Sequence, residues 1–454
     1  MLNASPIRDI ARTDLGDDIF YLVIGILSDE GFTSAVRRMA LVARRFMFMA
    51  HRKTFRRVVI GSGVRKRRTA AEMEEWIRLL KELFEASNRD WLRSCVEEVV
   101  LFAGRPDQSW VTCGDLRWFM DSVSRGGAFK RFSLISGCLS PWNMRLFRPE
   151  FWRACGECVV ELALVNVSQI DLAEILARLP NVESVTVSAV DSSSTLAVNE
   201  GDKTTRIKKL VHMSRSAVLP HFGRVDEILN RDLDAHLDIS SFSEVVLRTD
   251  RGADAQFAVT VLKGSGTALR KVTMNVRGAL ANRHFFEDFS GPKNGLEHLY
   301  LWSEFGNWWC QGRSPVDAFA FILPKMMVPS LKTLVLEVRY HRPALFAAIV
   351  HEDSDWETLD SCLAGYNGSG LTVVLQFSRQ CAFRRAEWER EVVNRLVENP
   401  RFSRVRHLAT GEIGVEDVRC LLPRTSTNGA VSFDIAASDC ESNVDGSEWA
   451  CYWN

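Results

Sequence analysis

Residues 296–301 read Leu296-Glu297-His298-Leu299-Tyr300-Leu301, and residues 331–336 read Leu331-Lys332-Thr333-Leu334-Val335-Leu336. In both stretches the first, fourth and sixth side chains are apolar, and the last two of these lie on one face of an extended strand. The same triplet recurs along most of the chain. The further copies are Phe55/Val58/Ile60, Val96/Val99/Leu101, Phe129/Phe132/Leu134, Val159/Leu162/Leu164, Val182/Val185/Val187, Phe242/Val245/Leu247 and Leu269/Val272/Met274, with weaker ones starting at Ile207, Trp356 and Val405.

Stretches with helical spacing separate these strands. They cover Ala70–Ala86, Ile170–Leu179, Pro315–Leu323 and Phe383–Val397. A strand that alternates with a helix predicts the α/β class, with a parallel sheet and right-handed crossovers. Each strand–helix unit has an apolar edge that only a neighbouring unit can cover, so the units are expected to stack.

The repeated unit resembles a leucine-rich repeat, in which such a strand is followed by a helix. Regular repeats place Asn or Cys three residues after the last leucine, and this chain does not. The repeats are also unequal in length. The resemblance therefore implies an irregular leucine-rich-repeat-like α/β solenoid with a parallel sheet, and the alternative is a non-repetitive α/β domain with a parallel sheet.

Two amphipathic stretches precede the array. Residues 15–27 and 36–50 each carry apolar side chains at helical spacing, and the second also carries paired arginines. Short helices of this kind depend on tertiary partners for stability. The predicted organisation is therefore an N-terminal tail (1–12), an all-helical module (13–54), the α/β array (55–435) and an acidic, flexible C-terminal tail (436–454).

The helical module resembles an F-box. Leu15, Asp18 and Ile19 match the opening of that motif in type, and the segment from Met39 to Phe46 fits the end of its second helix. Two departures are Gly16, where the family usually has proline, and Ala35-Val36, which replace Asp-Leu. With its divergent repeats, the chain as a whole resembles fungal-type F-box proteins.

This resemblance implies a substrate-recognition adaptor of a cullin-RING (SCF-type) ubiquitin ligase. The F-box would bind a Skp-type linker protein and through it a cullin, while the repeats capture an unknown target protein. The residues implied at the linker interface are Leu15, Ile19, Val23, Ile24, Leu27, Val42, Arg44 and Phe46. The alternative is a ligase-independent interaction scaffold in which the helical hairpin only caps the solenoid.

Composition bounds the remaining choices. The 454 residues are 46% hydrophobic and 25% charged, which is the ordinary globular range. Equal acidic and basic counts argue against a general nucleic-acid binder. No apolar run is long enough to span a bilayer, and the start lacks the apolar segment of a signal peptide. Eleven scattered cysteines are not a disulfide framework. A cytoplasmic or nuclear protein is expected.

Motifs for chemistry are weak. The Gly61-x-Gly63 and Gly264-x-Gly266 pairs lack the residues that a phosphate-cradling loop needs. A single pair, Cys155 and Cys158, does not complete a four-ligand zinc site, and two packed cysteines are the simpler interpretation. The chain is therefore predicted to be non-catalytic, with no cofactor and no metal.

The target surface is expected on the sheet. Charged residues of alternating sign are expected at outward positions of the sheet face and suggest a polar protein partner. An aromatic group follows the strand at 296–301 and is a possible substrate surface, because tryptophan is enriched at binding hot spots. An alternative role for this group is to fill the core between uneven repeats. Its members are Trp302, Phe305, Trp308 and Trp309.

Overall fold

A computed structural model describes most of the array. The residues described are 50, 52–61, 69–86, 90–103, 107–136, 142–143, 146–147, 149–170, 172–192, 207–212, 238–249, 252–292, 295–305, 314–340, 355–368, 370–379, 422–426 and 431–439. The F-box-like residues 15–46 lie outside this set, as do the predicted helix at 383–397 and the weak triplet at Val405.

All described strands belong to one parallel sheet. They are β1 (Arg57–Gly61), β2 (Glu98–Ala103), β3 (Arg131–Ser136), β4 (Trp142–Asn143), β5 (Glu161–Ile170), β6 (Ser184–Ser192), β7 (Lys209–His212), β8 (Glu244–Arg248), β9 (Lys271–Asn275), β10 (His298–Phe305), β11 (Thr333–Tyr340), β12 (Leu371–Arg379) and β13 (Val431–Asp439). Apart from the short β4, which pairs with β5, they lie side by side in chain order. The predicted α/β class with a parallel sheet is confirmed.

Helices connect most successive strands. They are α1 (Ala70–Glu85), α2 (Asp90–Arg93), α3 (Gly114–Arg125), α4 (Pro149–Cys155), α5 (Leu172–Arg178), α6 (Gly252–Gly264), α7 (Arg283–Phe286), α8 (Pro315–Met326), α9 (Trp356–Ala364) and α10 (Pro423–Ser426). Two single 3-10 turns lie at Ser109–Thr112 and Ile239–Ser241. The helices predicted at 70–86, 170–179 and 315–323 are present with shifted ends.

The main core lies between the helices and one face of the sheet, here called the core face. The triplet side chains point into it: Leu299 and Leu301 of β10 are no more than 1% exposed, as are Leu334 and Leu336 of β11. Helix side chains such as Ile77 complete the same cluster. The spacing therefore assigned these triplet side chains to the correct face of the sheet.

Helix starts follow local capping chemistry. Thr69 and Glu72 form a capping box at α1, in which the Glu72 amide donates to Thr69 Oγ1 over 3.2 Å. Ser314 caps α8 in the same way, with proline at the first helical position. Asp355 caps α9 by accepting from the Thr358 amide at 3.1 Å. The weak strand predicted at Trp356 is wrong, because this cap makes residues 356–364 a helix.

Side chains tie the carboxyl ends of several strands together. Ser136 Oγ donates to the Ala103 carbonyl at 3.4 Å, and Asn166 Nδ2 donates to the Ser136 carbonyl at 3.4 Å. Thr249 Oγ1 donates to the Asn275 carbonyl at 2.9 Å. These buried bonds satisfy backbone carbonyls that would otherwise lack a partner from these side chains.

A buried carboxylate joins two helices in the C-terminal part of the described array. Asp360 of α9 accepts from the amides of Arg424 and Thr425 at 2.9 and 2.8 Å, and from Thr425 Oγ1 at 2.6 Å. The bonds bring α10 against α9. The following β13 runs to Asp439, across the boundary that was predicted at residue 436.

Candidate functional site

The face of the sheet opposite the core, here called the second face, has two unlike halves. Its side chains alternate with the core residues along each strand. They form rows across the sheet because the parallel register is regular from β8 to β12. One row joins Arg248, Asn275, Trp302, Glu337 and Gln376.

The half on β2, β3 and β5 is an apolar patch. Its buried members are Val100, Phe102, Ile135, Ala163 and Val165, and Val211 of β7 packs partly buried against them. Strands buried on both faces are typical of parallel sheets. The patch therefore offers chemistry for packing and none for proton or group transfer.

The half on β8 to β11 is a polar network around Trp302. The guanidinium carbon of Arg339 lies 4.1 Å from the centre of the indole ring, and that of Arg248 lies 5.2 Å from it. Both distances are within cation–π range. Trp302 is 3% exposed, whereas Arg248 is half-buried and reaches solvent.

One carboxylate oxygen organises the network. Glu337 Oε2 accepts from Arg339 Nε at 2.8 Å and from the Tyr300 hydroxyl. A second Arg339 nitrogen also lies 2.8 Å from that oxygen. Glu337 is 1% exposed and Arg339 is 5% exposed, so the pair is held away from water. Such a pair keeps its geometry only while each partner remains.

Tyr300 donates its hydroxyl proton to the Glu337 carboxylate. Burial raises the pKa of its hydroxyl far above the ordinary value, and the neighbouring Glu337 carboxylate raises this pKa further. The proton therefore stays on the phenol at physiological pH. Among the described residues this half therefore holds a buried ion pair, a half-buried guanidinium and a protonated phenol.

Two rows of charge cross the amino edge of the sheet. Seven of the alternating charges noted in the sequence lie one residue before a strand, and Glu244 is the first second-face residue of β8. Lys332 Nζ lies 2.6 Å from Glu297, and Lys208 Nζ lies 2.9 Å from Glu183. The residues before the strands are Glu97, Lys130, Glu183, Lys208, Arg270, Glu297 and Lys332.

The predicted target residues are placed unequally. Trp302 lies inside β10 and is packed on the second face, opposite the main core. Phe305 ends β10, while Trp308 and Trp309 lie outside the described residues. That this group contacts a partner stays a prediction, as does the linker surface, whose residues fall at 15–46.

The cysteine pair is packed as interpreted. Cys155 is fully buried, and Cys158 Sγ donates to the Ser124 carbonyl at 3.1 Å. Burial raises the pKa of both thiols, so neither is a ready thiolate. Across the described ranges, no group of three or more His, Cys, Asp or Glu side chains is placed to hold a metal ion.

The sequence interpretation missed Arg248, Tyr300, Glu337 and Arg339. A signal existed, because Arg248, Trp302 and Glu337 each follow directly on the last apolar residue of a triplet. That shared phase places them in one row of a parallel sheet.

Two comparisons with known proteins were made for the sequence of this chain. Neither the scan against protein-family models nor the search of curated proteins gave a match to the chain. Of the helices in the described part, none is both long and apolar enough to cross a membrane.

Proposed function

We propose that this chain is a substrate-recognition adaptor of a cullin-RING ubiquitin ligase, acting in the cytoplasm or nucleus. The observation that carries the proposal is the order of its parts. An F-box-like segment at residues 15–46 is followed at Arg57 by parallel strands that lie side by side in chain order. In this proposal a docking module precedes an extended surface of the kind that solenoids use for binding.

In this proposal the helical module contacts a Skp-type linker protein, which attaches to the cullin. Apolar side chains form the centre of the contact, and Arg44 lies at its rim, where charge tunes the encounter. The apolar contact residues are Leu15, Ile19, Val23, Ile24, Leu27, Val42 and Phe46. The chain carries out no chemistry itself and promotes ubiquitin transfer by holding a target near the conjugating enzyme.

The target protein is proposed to bind the second face near β8 to β11. Arg248 supplies a half-buried charge there, next to the packed indole of Trp302. Arginine and tryptophan are the side chains enriched at interface hot spots. Phe305, Trp308 and Trp309 follow in the chain and are proposed to extend this surface.

The residues beside the boundary between the helical module and the array are packed. Ala50 is fully buried, and the Phe55 ring meets the Phe84 ring of α1 edge to face at 6.2 Å. Packing that continued into the module would suit an adaptor, because it would fix the distance between linker and target. The same packing also favours the second candidate, a ligase-independent scaffold whose helical hairpin is a cap.

Co-purification with the linker separates the two candidates. The full chain is co-expressed with a Skp-type linker, alone and as the Ile24→Asp/Phe46→Asp double variant. A matched control is Leu79→Asp, which places the same charge on an apolar side chain of α1 that is 49% exposed. The adaptor proposal expects a stoichiometric complex for the wild type and the control, and its loss in the double variant.

Circular dichroism of each variant checks that the array remains folded. A folded wild-type chain that does not bind the linker would overturn the adaptor proposal. Binding that survives the double substitution would reject the assigned interface.

A further inference from the structure

A cleft of about 460 Å³ opens on the helical side of the molecule, between α3 and α4. Its volume is within the range of small-ligand and side-chain pockets. The α3 lining residues recur at helical spacing and the α4 residues face them. The lining residues are Gly114, Arg117, Trp118, Asp121, Arg125, Glu150, Arg153 and Ala154.

Three of these residues carry uncompensated charge. Arg125 pairs with Asp121 on its own helix. Arg117 and Arg153 are exposed, and no carboxylate of the described residues lies within ion-pair distance of either. Glu150 is half-buried and also has no cation partner in the described part of the chain. Among the described residues, the cleft thus presents two guanidinium groups and one carboxylate that form no ion pair.

An aromatic wall completes the cleft. Trp118 is half-buried, and two cations lie against its ring: Lys81 Nζ at 5.6 Å and Arg93 Cζ at 5.8 Å from the centre. Lys81 is itself held by Asp115 at 2.9 Å, which fixes this arrangement. The indole therefore offers a preformed apolar surface beside the free arginines.

We propose that this cleft docks an acidic segment of a protein partner. Guanidinium forks match the planar carboxylate or the phosphate oxygens of an anionic side chain. Trp118 would pack against a neighbouring apolar side chain, and Glu150 would accept a backbone N–H of the segment. The cleft is on the opposite side of the sheet from the proposed target surface. It is therefore a second interaction site that does not depend on the ligase role.

Peptide binding to the full chain tests this assignment. The probes are fluorescein-labelled peptides of one glycine, serine and leucine background, whose central anion is either aspartate or phosphoserine, with a lysine version for comparison. Fluorescence anisotropy is expected to show binding of an anionic peptide that weakens with salt, and no binding of the lysine peptide. The dissociation constants of the aspartate and phosphoserine peptides show which anion the cleft prefers.

Two double variants locate the binding. Arg117→Glu/Arg153→Glu is expected to weaken binding about tenfold to hundredfold, because two charge-assisted contacts are lost. Arg117→Lys/Arg153→Lys keeps the charge and is expected to give a smaller loss. The control is Lys263→Glu/Arg283→Glu, which changes net charge equally at exposed positions on α6 and α7.

The control variant is expected to bind like the wild type. Equal weakening in both charge-reversed variants would overturn the proposal, because attraction would then follow net charge alone. Absence of binding by either anionic peptide to the folded wild-type chain, at peptide concentrations up to the millimolar range, would also overturn it.

Discussion

The two halves of the second face are both buried, but different forces stabilise them. Between β2 and β5 the patch around Phe102 and Ile135 consists of apolar side chains in contact. On β11 Glu337 and Arg339 form an ion pair that is almost inaccessible to water. The strands continue side by side in chain order from one half to the other.

The difference bears on how each half responds to change. Apolar contacts are many and individually weak, so the loss of one methyl group is a graded effect. A buried ion pair depends on both charges, since either one alone pays its desolvation without compensation. The apolar half is therefore expected to tolerate the exchange of one apolar side chain for another. The polar half is expected to require both Glu337 and Arg339.

The largest effect is expected for Glu337→Gln. The substitution removes the charge that Arg339 faces at 2.8 Å and leaves a buried guanidinium without that carboxylate. The expected loss is about 3–5 kcal/mol in the free energy of unfolding. Urea denaturation of the full chain measures it, with Leu79→Asp as a surface control.

A double variant tests the cause. Glu337→Met/Arg339→Met replaces both charges by apolar side chains of similar length, so it is expected to cost less than Glu337→Gln alone. The single variants Glu337→Met and Arg339→Met are measured beside it. If the double variant lost as much stability as these two single variants combined, the charges would be acting independently and the contrast between the halves would fail.

A smaller effect is expected in the apolar patch. Ile135→Ala deletes buried atoms that lie in register with Phe102 and Val165. The expected cost is about 3 kcal/mol, and Ile135→Val is expected to cost about 1 kcal/mol. Urea denaturation is repeated at low and high salt. Because no charge is involved, the two costs should not change with salt, and a clear salt dependence would contradict the assignment.

The core face was predictable because one repeated signal encodes it. The triplets mark strand, phase and burial together, so Leu299 and Leu334 were assigned correctly from spacing alone. Trp356 shows the limit of that signal. Its apolar spacing also fits a strand, and the decision lies in the neighbouring Asp355, whose side chain caps a helix.

The second face was less predictable, since its contacts join residues that are distant in sequence. Tyr300 and Glu337 are 37 residues apart and meet only after the strands pair. The apolar half did carry a local signal: all six residues from Glu98 to Ala103 are buried, and most are apolar, as expected of a strand covered on both faces. For the linker surface the resemblance at residues 15–46 is the only guide.

The first row of side chains on the second face lies at the amino edge of the sheet. In this row the two halves are alike, whereas they differ in the rows that follow. Glu98 lies between Arg57 at 3.1 Å and Arg131 at 3.7 Å. Glu244 lies between Lys209 and Lys271 at 3.1 and 3.2 Å. A carboxylate between two cations thus occurs in each half, and the halves diverge only toward the carboxyl ends of their strands.

Acid titration of Glu244→Gln sharpens this point and has the smallest expected effect. Burial raises the pKa of Glu244, but the two lysines outweigh burial and hold it below the ordinary value of 4.5. A folded-state pKa below the unfolded one stabilises the protein above the unfolded pKa, and this contribution is lost as pH falls through the folded pKa. At neutral pH the wild type should therefore exceed the variant by less than about 1 kcal/mol, since the lysines are part-exposed.

Urea denaturation from pH 7 to pH 3 measures the difference, which should shrink below pH 4.5 as the wild-type carboxylate is protonated. A difference that stayed constant across this range would show that Glu244 stabilises the sheet by packing. In the first row, only the Glu98 contact in the apolar half would then be ionic. The contrast between the halves would therefore extend to the amino edge of the sheet.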